Sequence, residues 1–530
     1  MSWDQDFINQ LDRSSLAFDW LLQFVDVTNH LGQNYTVRLP QGVSFSGCSV
    51  IPQRWNVSFG GFSVAVHGDI SEMLPYIRKG QLAALYCRII GESDYQRVAI
   101  GQLVTLNGVR GRYQLNFRDL LSALQNSLDT RAGTAFSTSD PPRFNLFYKL
   151  GRTTTLTAQL NTGHTTLTVS DNSFFKKHSG TASIPSRGMI KITPTGGSDF
   201  YVFWTGTSGS NDITGISTVT NRGANRVNAP IGSIATYIGF LENQPWDILG
   251  SIITSTGSAG ANGPLDIFPR EWSVGGFIDR DLFDFGDVSR QASYIKRSDN
   301  GVYEWGLVFE EPLTNGIRSI VDIGIKSGQW PVFRQGKLSW RGCSDPDGND
   351  SEIMMGGPVA SIKDHHIIEI LRHEFYNANI QNIYRTTRII YNENGAGKFS
   401  GGVYDGDRVD TLPAIATINR DNSLYYHHDR SGADKREEMA IGDLQRMRRW
   451  DLYISEKIVL RVKISLSGLV AGDIVELSSR YLFGLLESGR TFRGKRAMII
   501  SCDFDFDQQS CVIGLAIPSR KTKQTTDTIG

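Results

Sequence analysis

Short runs in which apolar and polar residues alternate, each closed off by Gly, Asn or Ser, dominate this chain, most densely between residues 152 and 242. Such a two-residue period suits a strand, whose successive side chains point to opposite faces; a helix needs a period between three and four. In TTLTVSD, Leu167 and Val169 take one face and Thr166 and Thr168 the other. The same alternation is read in MIKIT at 189–193 and in FYVFW at 200–204, with turns rich in Gly, Asn and Ser between them. Residues 151–242 are therefore expected to form an all-β module, with an Asn221-Arg222-Gly223 turn near its end. A helix signal follows at once: Asn243 as cap, Pro245 in the first turn, then an apolar stripe of Ile248, Leu249, Ile252 and Ile253.

Strand signals recur on both sides of the module. Phe18, Trp20, Leu22 and Phe24 alternate strictly, after a short amphipathic N-terminal helix in which Ser2 and Gln5 suggest a capping box and Trp3, Phe7 and Leu11 share a face. Between 80 and 125, GQLAALYCRII passes through the polar turn GESDYQ into RVAIGQLVTL. Asn107-Gly108 predicts a hairpin turn into RYQLNFRD, and Asp119 a helix cap ahead of Leu120, Leu121, Leu124 and Leu128. Strand patterns also mark 301–311 and the run IYRTTRIIYN, whereas KDHHIIEILRHEFY at 363–376 reads as a helix with Ile367, Ile368 and Leu371 inward, and IGDLQRMRRW as another. From 451 to 518 four alternating runs suggest a second small barrel. The expected architecture is mainly β, a β-rich α+β multidomain chain. It comprises a small N-terminal β-barrel (1–150), the inserted all-β module (151–242), a mixed α+β middle region (243–440), a C-terminal β-barrel (441–520) and a flexible tail (521–530).

Composition narrows the function. At 530 residues the chain is too long for one core, and 40% hydrophobic with 20% charged residues describes a folded protein. Lys plus Arg and Asp plus Glu both number 54, so the chain lacks the basic excess expected of a nucleic-acid binder. No apolar run is long enough to span a bilayer, and the acidic, amphipathic start is unlike a signal peptide, so synthesis in a cytoplasm is expected. Five cysteines (Cys48, Cys87, Cys343, Cys502, Cys511) with no Cys-x-x-Cys spacing favour buried free thiols over disulfides or zinc.

Three clusters could carry chemistry. His365, His366, Glu369 and His373 would share a face of the 363–376 helix, yet their spacing is not that of a zinc-binding helix, and a solvated face suits them better. Asp345, Asp347, Asn349, Asp350 and Glu352 offer oxygen ligands, but Pro346 and Gly348 break the register of a calcium loop, leaving an acidic turn. Asp503, Asp505 and Asp507 alternate with Phe504 and Phe506 on one strand, a carboxylate row without an identifiable opposing group. No nucleophile elbow, phosphate loop or dinucleotide fingerprint is present. The expectation is a non-enzyme with no catalytic, cofactor-binding or metal residues and no cofactor.

The 152–242 module resembles an insert of tailed-phage baseplate and tail proteins. The resemblance rests on 165–169, 188–192, 200–205, Arg222-Gly223 and 232–237, and departs from the pattern at Ser198-Asp199-Phe200. The preceding unit, with Gly80, GQLV at 101–104 and RYQLNFRDLLSALQ, is similar to the first barrel of phage tail hub proteins. ENQPWDILGSIIT resembles the helix that follows such inserts, and SGLVAGDIVELSS with RAMIISCDFDFDQQSCVIGLAI resembles the last hub barrel, Gly472-Asp473-Ile474-Val475 being its recurring element. The resemblance implies a homotrimeric ring at the distal end of the tail tube that adapts a six-fold tail to a three-fold tip and lines the DNA exit channel. The barrels at 1–150 and 441–520 would alternate around that ring. Implied partners are the distal tail protein ring, tail tip or fibre proteins, the tape measure protein and, transiently, DNA in the channel, with no stable membrane insertion. The implied location is the virion tail tip, after assembly in the host cytoplasm. Two alternatives remain at this point: a receptor- or carbohydrate-binding tail component whose Trp204 and Tyr237 stack on glycans, and a virion-associated cell-wall hydrolase using Asp503, Asp505 and Asp507 or the 366–373 cluster.

Overall fold

The computed structural model describes residues 16–28, 34–39, 43–46, 49–51, 56–58, 60–67, 81–91, 94–109, 111–119, 151–175, 187–243, 305–310, 329–334, 337–342, 358–376, 386–393, 399–406, 417–422, 455–485 and 489–518, with Phe7, Gln10, Leu11 and Ile77. Nearly everything regular in them is strand. The N-terminal unit contains β1 (Phe18–Thr28), β2 (Asn34–Leu39), β3 (Val43–Ser46), β4 (Ser49–Ile51), β5 (Asn56–Ser58), β6 (Gly61–His67), β7 (Leu82–Ile89), β8 (Gln96–Val109) and β9 (Arg112–Asp119). The insert holds β10 (Thr153–Thr155), β11 (Thr166–Thr168), β12 (Gly188–Thr193), β13 (Phe200–Trp204), β14 (Gly206–Ser208), β15 (Asp212–Thr214), β16 (Ser217–Gly223) and β17 (Ile234–Asn243). The middle region contributes β18 (Trp305–Phe309), β19 (Gln329–Arg334), β20 (Lys337–Gly342), β21 (Ala360–Lys363), β22 (Ile367–Tyr376), β23 (Thr386–Glu393), β24 (Phe399–Gly406) and β25 (Thr417–Asn422). The chain closes with β26 (Ser455–Lys463), β27 (Ile474–Phe483), β28 (Thr491–Asp505) and β29 (Ser510–Pro518).

The two ends of the chain share one sheet. Its main path runs β2-β1-β7-β8-β9-β6-β3-β28-β29-β26-β22, with β27 and β21 alongside β28 and the short β4 and β5 attached to it. Among the described residues this path is open rather than a closed barrel. Strict alternation places Trp20, Leu22 and Phe24 of β1 and Phe62, Val64 and Val66 of β6 in a core that also takes Ile458, Leu460 and Val462 of β26 and Ile513, Leu515 and Ile517 of β29. One apolar cluster therefore spans both ends, and alternation in the sequence had already put Trp20, Leu22 and Phe24 on one face.

Three expectations change in detail. The segment 363–376 is not a helix: β21 gives way to one 3-10 turn at Asp364–His366 and then to β22, paired antiparallel with β26. Register shifts between Ile367 and Glu369 and between Ile370 and Arg372 mark two bulges, each adding one residue. Those extra residues, Ile368 and Leu371, break the two-residue period and mimic a helical spacing. The hairpin near Asn107 reverses later, between Val109 and Arg112, with Gly111 at φ +82° supplying the left-handed residue. Gly108 serves close approach instead, since a Cβ there would lie 2.3 Å from the Arg112 carbonyl oxygen. FYVFW does not alternate: all five residues of β13 are buried, because the insert's sheet is covered on both faces. Phe7 and Leu11 lie in the shared core, and Leu11 N donates to Phe7 O (3.2 Å) as in a helical turn. The helices expected after Asp119, after Asn243 and at 441–450, and the tail 521–530, lie outside the described residues.

Candidate functional site

The feature that joins the ends of the chain is a seam around β28. Its last residues pair with β29 on one side and with β3 and β4 on the other, through Asp505 opposite Ser44 and Ser501 opposite Ser49. Beneath that pairing Phe506, 1% exposed, stands edge-on to Trp20 (centroids 4.8 Å, 90°) and to Phe18 (5.3 Å, 88°). Phe45 of β3 completes the group at 5.4 Å from Phe506 and 6.3 Å from Phe504. Edge-to-face contacts of this kind add about 0.5–1.5 kcal/mol each beyond area burial. The turn after β28 is held by Asp505 Oδ1, which accepts from Gln508 N (2.9 Å), and by Gln509 Nε2, which donates to the Leu16 carbonyl. Of the DFDFD carboxylates, then, the middle one shapes a turn. The alternating phenylalanines do the joining, and nothing in the sequence said to what.

A second anchor docks the β19–β20 hairpin onto the C-terminal unit. Arg341 and Asp473, 1% and 0% exposed at their side chains, form an ion pair with Nε to Oδ1 at 2.7 Å. Asp473 Oδ2 also accepts from Val470 N (2.9 Å), and Trp330 Nε1 donates to Ala471 O (3.1 Å). Gly472 sits between at φ +100°, where a Cβ would fall 2.7 Å from both Arg341 Cβ and Trp330 Cζ2. The Gly472-Asp473 pair singled out in the sequence is thus a turn that requires glycine and a carboxylate buried against one cation.

The residues once considered for metal or catalysis do not converge. His365 and His366 occupy the 3-10 turn, where His366 Nδ1 accepts from Lys363 N (3.2 Å). On β22, Glu369 lies 3.7 Å from Arg461, while His373 Nε2 meets Glu456 Oε2 at 2.7 Å. Among the described residues no three His, Cys, Asp or Glu side chains are placed to hold a metal. The acidic run 345–352 lies outside them, as do Cys48 and Cys343. Cys87, Cys502 and Cys511 are buried free thiols, and burial raises the pKa of all three. No helix among the described residues is long and apolar enough to cross a membrane.

The outer rim of the sheet carries apolar side chains. Ile368, Ile370 and Leu371 are exposed on β22, an edge strand among the described residues, and Tyr481 and Phe483 are exposed at the end of β27, next to Arg480, which pairs with Asp364 (3.1 Å). The two bulges make β22 a poor template for a further strand, so this rim suits side-chain packing better than sheet extension.

The insert has cores of its own. One face of its sheet packs Ile190, Ile192, Phe200, Val202 and Trp204 against Leu167, Val169 and Phe175, and the other gathers Met189, Tyr201, Phe203, Ile238 and Phe240 beside Val308 of β18. A polar clasp ties β18 down: Tyr201 donates to Glu310 Oε1 (2.8 Å), and Lys191 Nζ lies 2.8 Å from Asp199 and 3.7 Å from Glu310. Trp204 (1% exposed) and Tyr237 (6%) are core residues and present no face to a glycan, which corrects the stacking role considered for them.

No protein-family model matches the sequence, and no curated protein matches it. Among solved structures the chain is similar to a tail protein from Neisseria meningitidis MC58 (TM-score 0.40, 10% identity, covering 94% of this chain and 96% of that one). It is also similar to the 43 kDa tail protein of prophage MuSo2 from Shewanella oneidensis (TM-score 0.38, 12% identity, 95% and 99% covered). A third similar structure is prophage tail protein gp18 from Listeria monocytogenes EGD-e (TM-score 0.38, 8% identity, 94% of each chain).

Proposed function

We propose that this chain is a structural subunit of a phage tail: a hub protein, three copies of which close a ring at the distal end of the tail tube around the DNA exit channel. The observation that supports this most is the seam, where β3 and β28 join units from opposite ends of the sequence into one sheet with one core. A subunit built this way offers two linked β units, so three copies would present six to a six-fold tube while keeping a three-fold tip. The insert, with cores of its own, fits an attachment carried by that frame, and the apolar rim on β22 and β27 fits burial against neighbouring subunits. The partners under this reading are further copies of the chain, the distal tail protein ring, tip or fibre proteins and the tape measure protein, with DNA passing transiently, at the tail tip of the virion. It assigns the chain no catalytic step and no cofactor.

Light scattering of the purified chain, combined with negative-stain images, tests the reading. A ring with the mass of three chains is expected, and antibody against the chain should label the tail tip of intact virions. A monomer at every concentration, together with particles that carry no label at the tip, would refute it.

A further inference from the structure

A cleft of about 410 Å3 opens on the insert beside β11, between residues 158–160 and 163–168. We propose that it is a binding subsite for a neutral saccharide, a role that stands or falls independently of the hub reading.

The cleft originates in the main chain. β11 is tied to the β15 side through odd-numbered residues: Ile216 N donates to Thr165 O (2.8 Å) and Val169 N to Asn211 O (2.8 Å). In an antiparallel strand the residues between them aim their N–H and C=O groups the other way. There Thr168 O accepts from Thr157 N (3.0 Å), next to the bridge between Leu156 and Val169. The partner segment then diverges, because Leu160 exchanges both of its main-chain bonds with Ala229 instead (2.9 and 2.8 Å). The amide and carbonyl of Thr166 are left facing the cleft. One residue of free edge is too short to pair an added peptide strand, but it is enough to fix a small hydroxyl-bearing ligand.

The lining matches such a ligand. Thr166 and Thr168 provide hydroxyls and Gln159 an amide oxygen, its Nε2 donating to Asn161 Oδ1 (3.0 Å); the His164 ring, bonded through both nitrogens to Asn161, forms a wall, and Leu160 and Leu167 lie beneath as an apolar floor for C–H groups. Among the described residues no Lys, Arg, Asp or Glu lines the cleft, and the Arg226 guanidinium at its rim is engaged by the Asn161 and His164 carbonyls, so the cleft favours a neutral ligand. Its volume lies within the usual range of small-molecule sites, about 300–1,000 Å3. The rim is held in advance: Arg226 Nη2 donates to Asn161 O (2.8 Å) and His164 O (2.7 Å), and Thr162 N to Asn228 Oδ1 (3.0 Å). A loop ordered before binding loses little further entropy when a ligand arrives.

Saturation-transfer NMR on the full chain tests this, with glucose, galactose, rhamnose, N-acetylglucosamine, maltose and chitobiose as probes and sialic acid and glucose 6-phosphate as charged comparators. Gly163→Trp is the blocking variant, since a Cβ at Gly163 meets nothing within 4 Å and the backbone there is not left-handed. At least one neutral sugar should receive saturation. Its affinity should fall about tenfold or more in Gly163→Trp, the effect expected from losing roughly one good polar contact and its space. Gln159→Trp, at an exposed position, serves as the second block should Gly163→Trp lose its circular dichroism signature. Silence from every neutral sugar overturns the proposal. So does a signal that survives both blocks, or equal binding of the charged comparators.

Discussion

Arg341→Met isolates the anchor between the β19–β20 hairpin and the C-terminal unit. In the native chain the guanidinium and the Asp473 carboxylate are almost wholly buried, 2.7 Å apart. Removing only the cation leaves a carboxylate in an apolar interior with the Val470 N–H still bonded to it. Breaking a buried pair from one side costs about 3–5 kcal/mol. For a cooperative unit of this size that is a fall of about 6–20 °C in the corresponding transition. Asp473→Asn should cost a similar amount, because it keeps an acceptor for Val470 but takes the carboxylate away from the buried Arg341 guanidinium. The double variant buries neither charge and should recover at least half of either loss, so the two single losses should exceed the double loss by about 4 kcal/mol or more. Scanning calorimetry gives the transition, and hydrogen exchange of the peptide spanning 329–342 reports whether the hairpin has come loose. If both single variants melt with the parent, or if the two losses simply add, the pair is not the anchor described.

Two further outcomes follow from burial and charge. Cys87, Cys502 and Cys511 have thiols whose pKa burial raises, so at pH 8 iodoacetamide should leave them unmodified in the native chain and label them once it unfolds; peptide mapping that finds any of them labelled natively contradicts their placement. In the clasp on the insert, burial opposes ionisation of Asp199, but hydrogen bonds from Lys191 and Thr193 outweigh it and hold the carboxyl below its usual range, while the Asp199 hydrogen bond raises the pKa of Lys191. The Asp199 contribution is therefore present above the ordinary carboxylate value and lost as pH falls through its lower folded value. The Lys191 contribution is present below the ordinary lysine value and lost only as pH rises past its higher folded one. Thermal melts between pH 7 and about pH 2.5 should show the parent losing its advantage over Lys191→Met below about pH 4, and parallel curves would remove the clasp from the account.

What the sequence disclosed depended on how far apart the interacting residues lie. The buried face of β1 was legible because a two-residue period is a local property, and Trp20, Leu22 and Phe24 sit where alternation put them. β22 was misread because its two bulges replace that period with one resembling a helix, and only pairing with β26, far along the chain, identifies the strand. Trp204 and Phe203 are both buried for a reason no window of sequence contains: a second apolar layer reaches the outer face of β13. Arg341 gave no signal of its own, since its partner is Asp473 and its environment is made by Gly472 and Trp330. Phe504 and Phe506 were visible as a pattern, yet the neighbours that give them meaning, Trp20 and Phe45, stand at the other end of the chain.

That separation also sets a clock. Roughly 460 residues lie between Phe45 and Phe506, so at about 5–20 residues per second a ribosome needs some tens of seconds, up to about a minute and a half, to supply the second after the first. Through that interval the aromatic face of β1 and β3 has no lid, and the strand that β3 awaits does not yet exist. Until β28 and β29 have been made the nascent chain carries a half-finished sheet, and the shared core stays open. A seam whose second half is made last cannot form early, however quickly the first half folds.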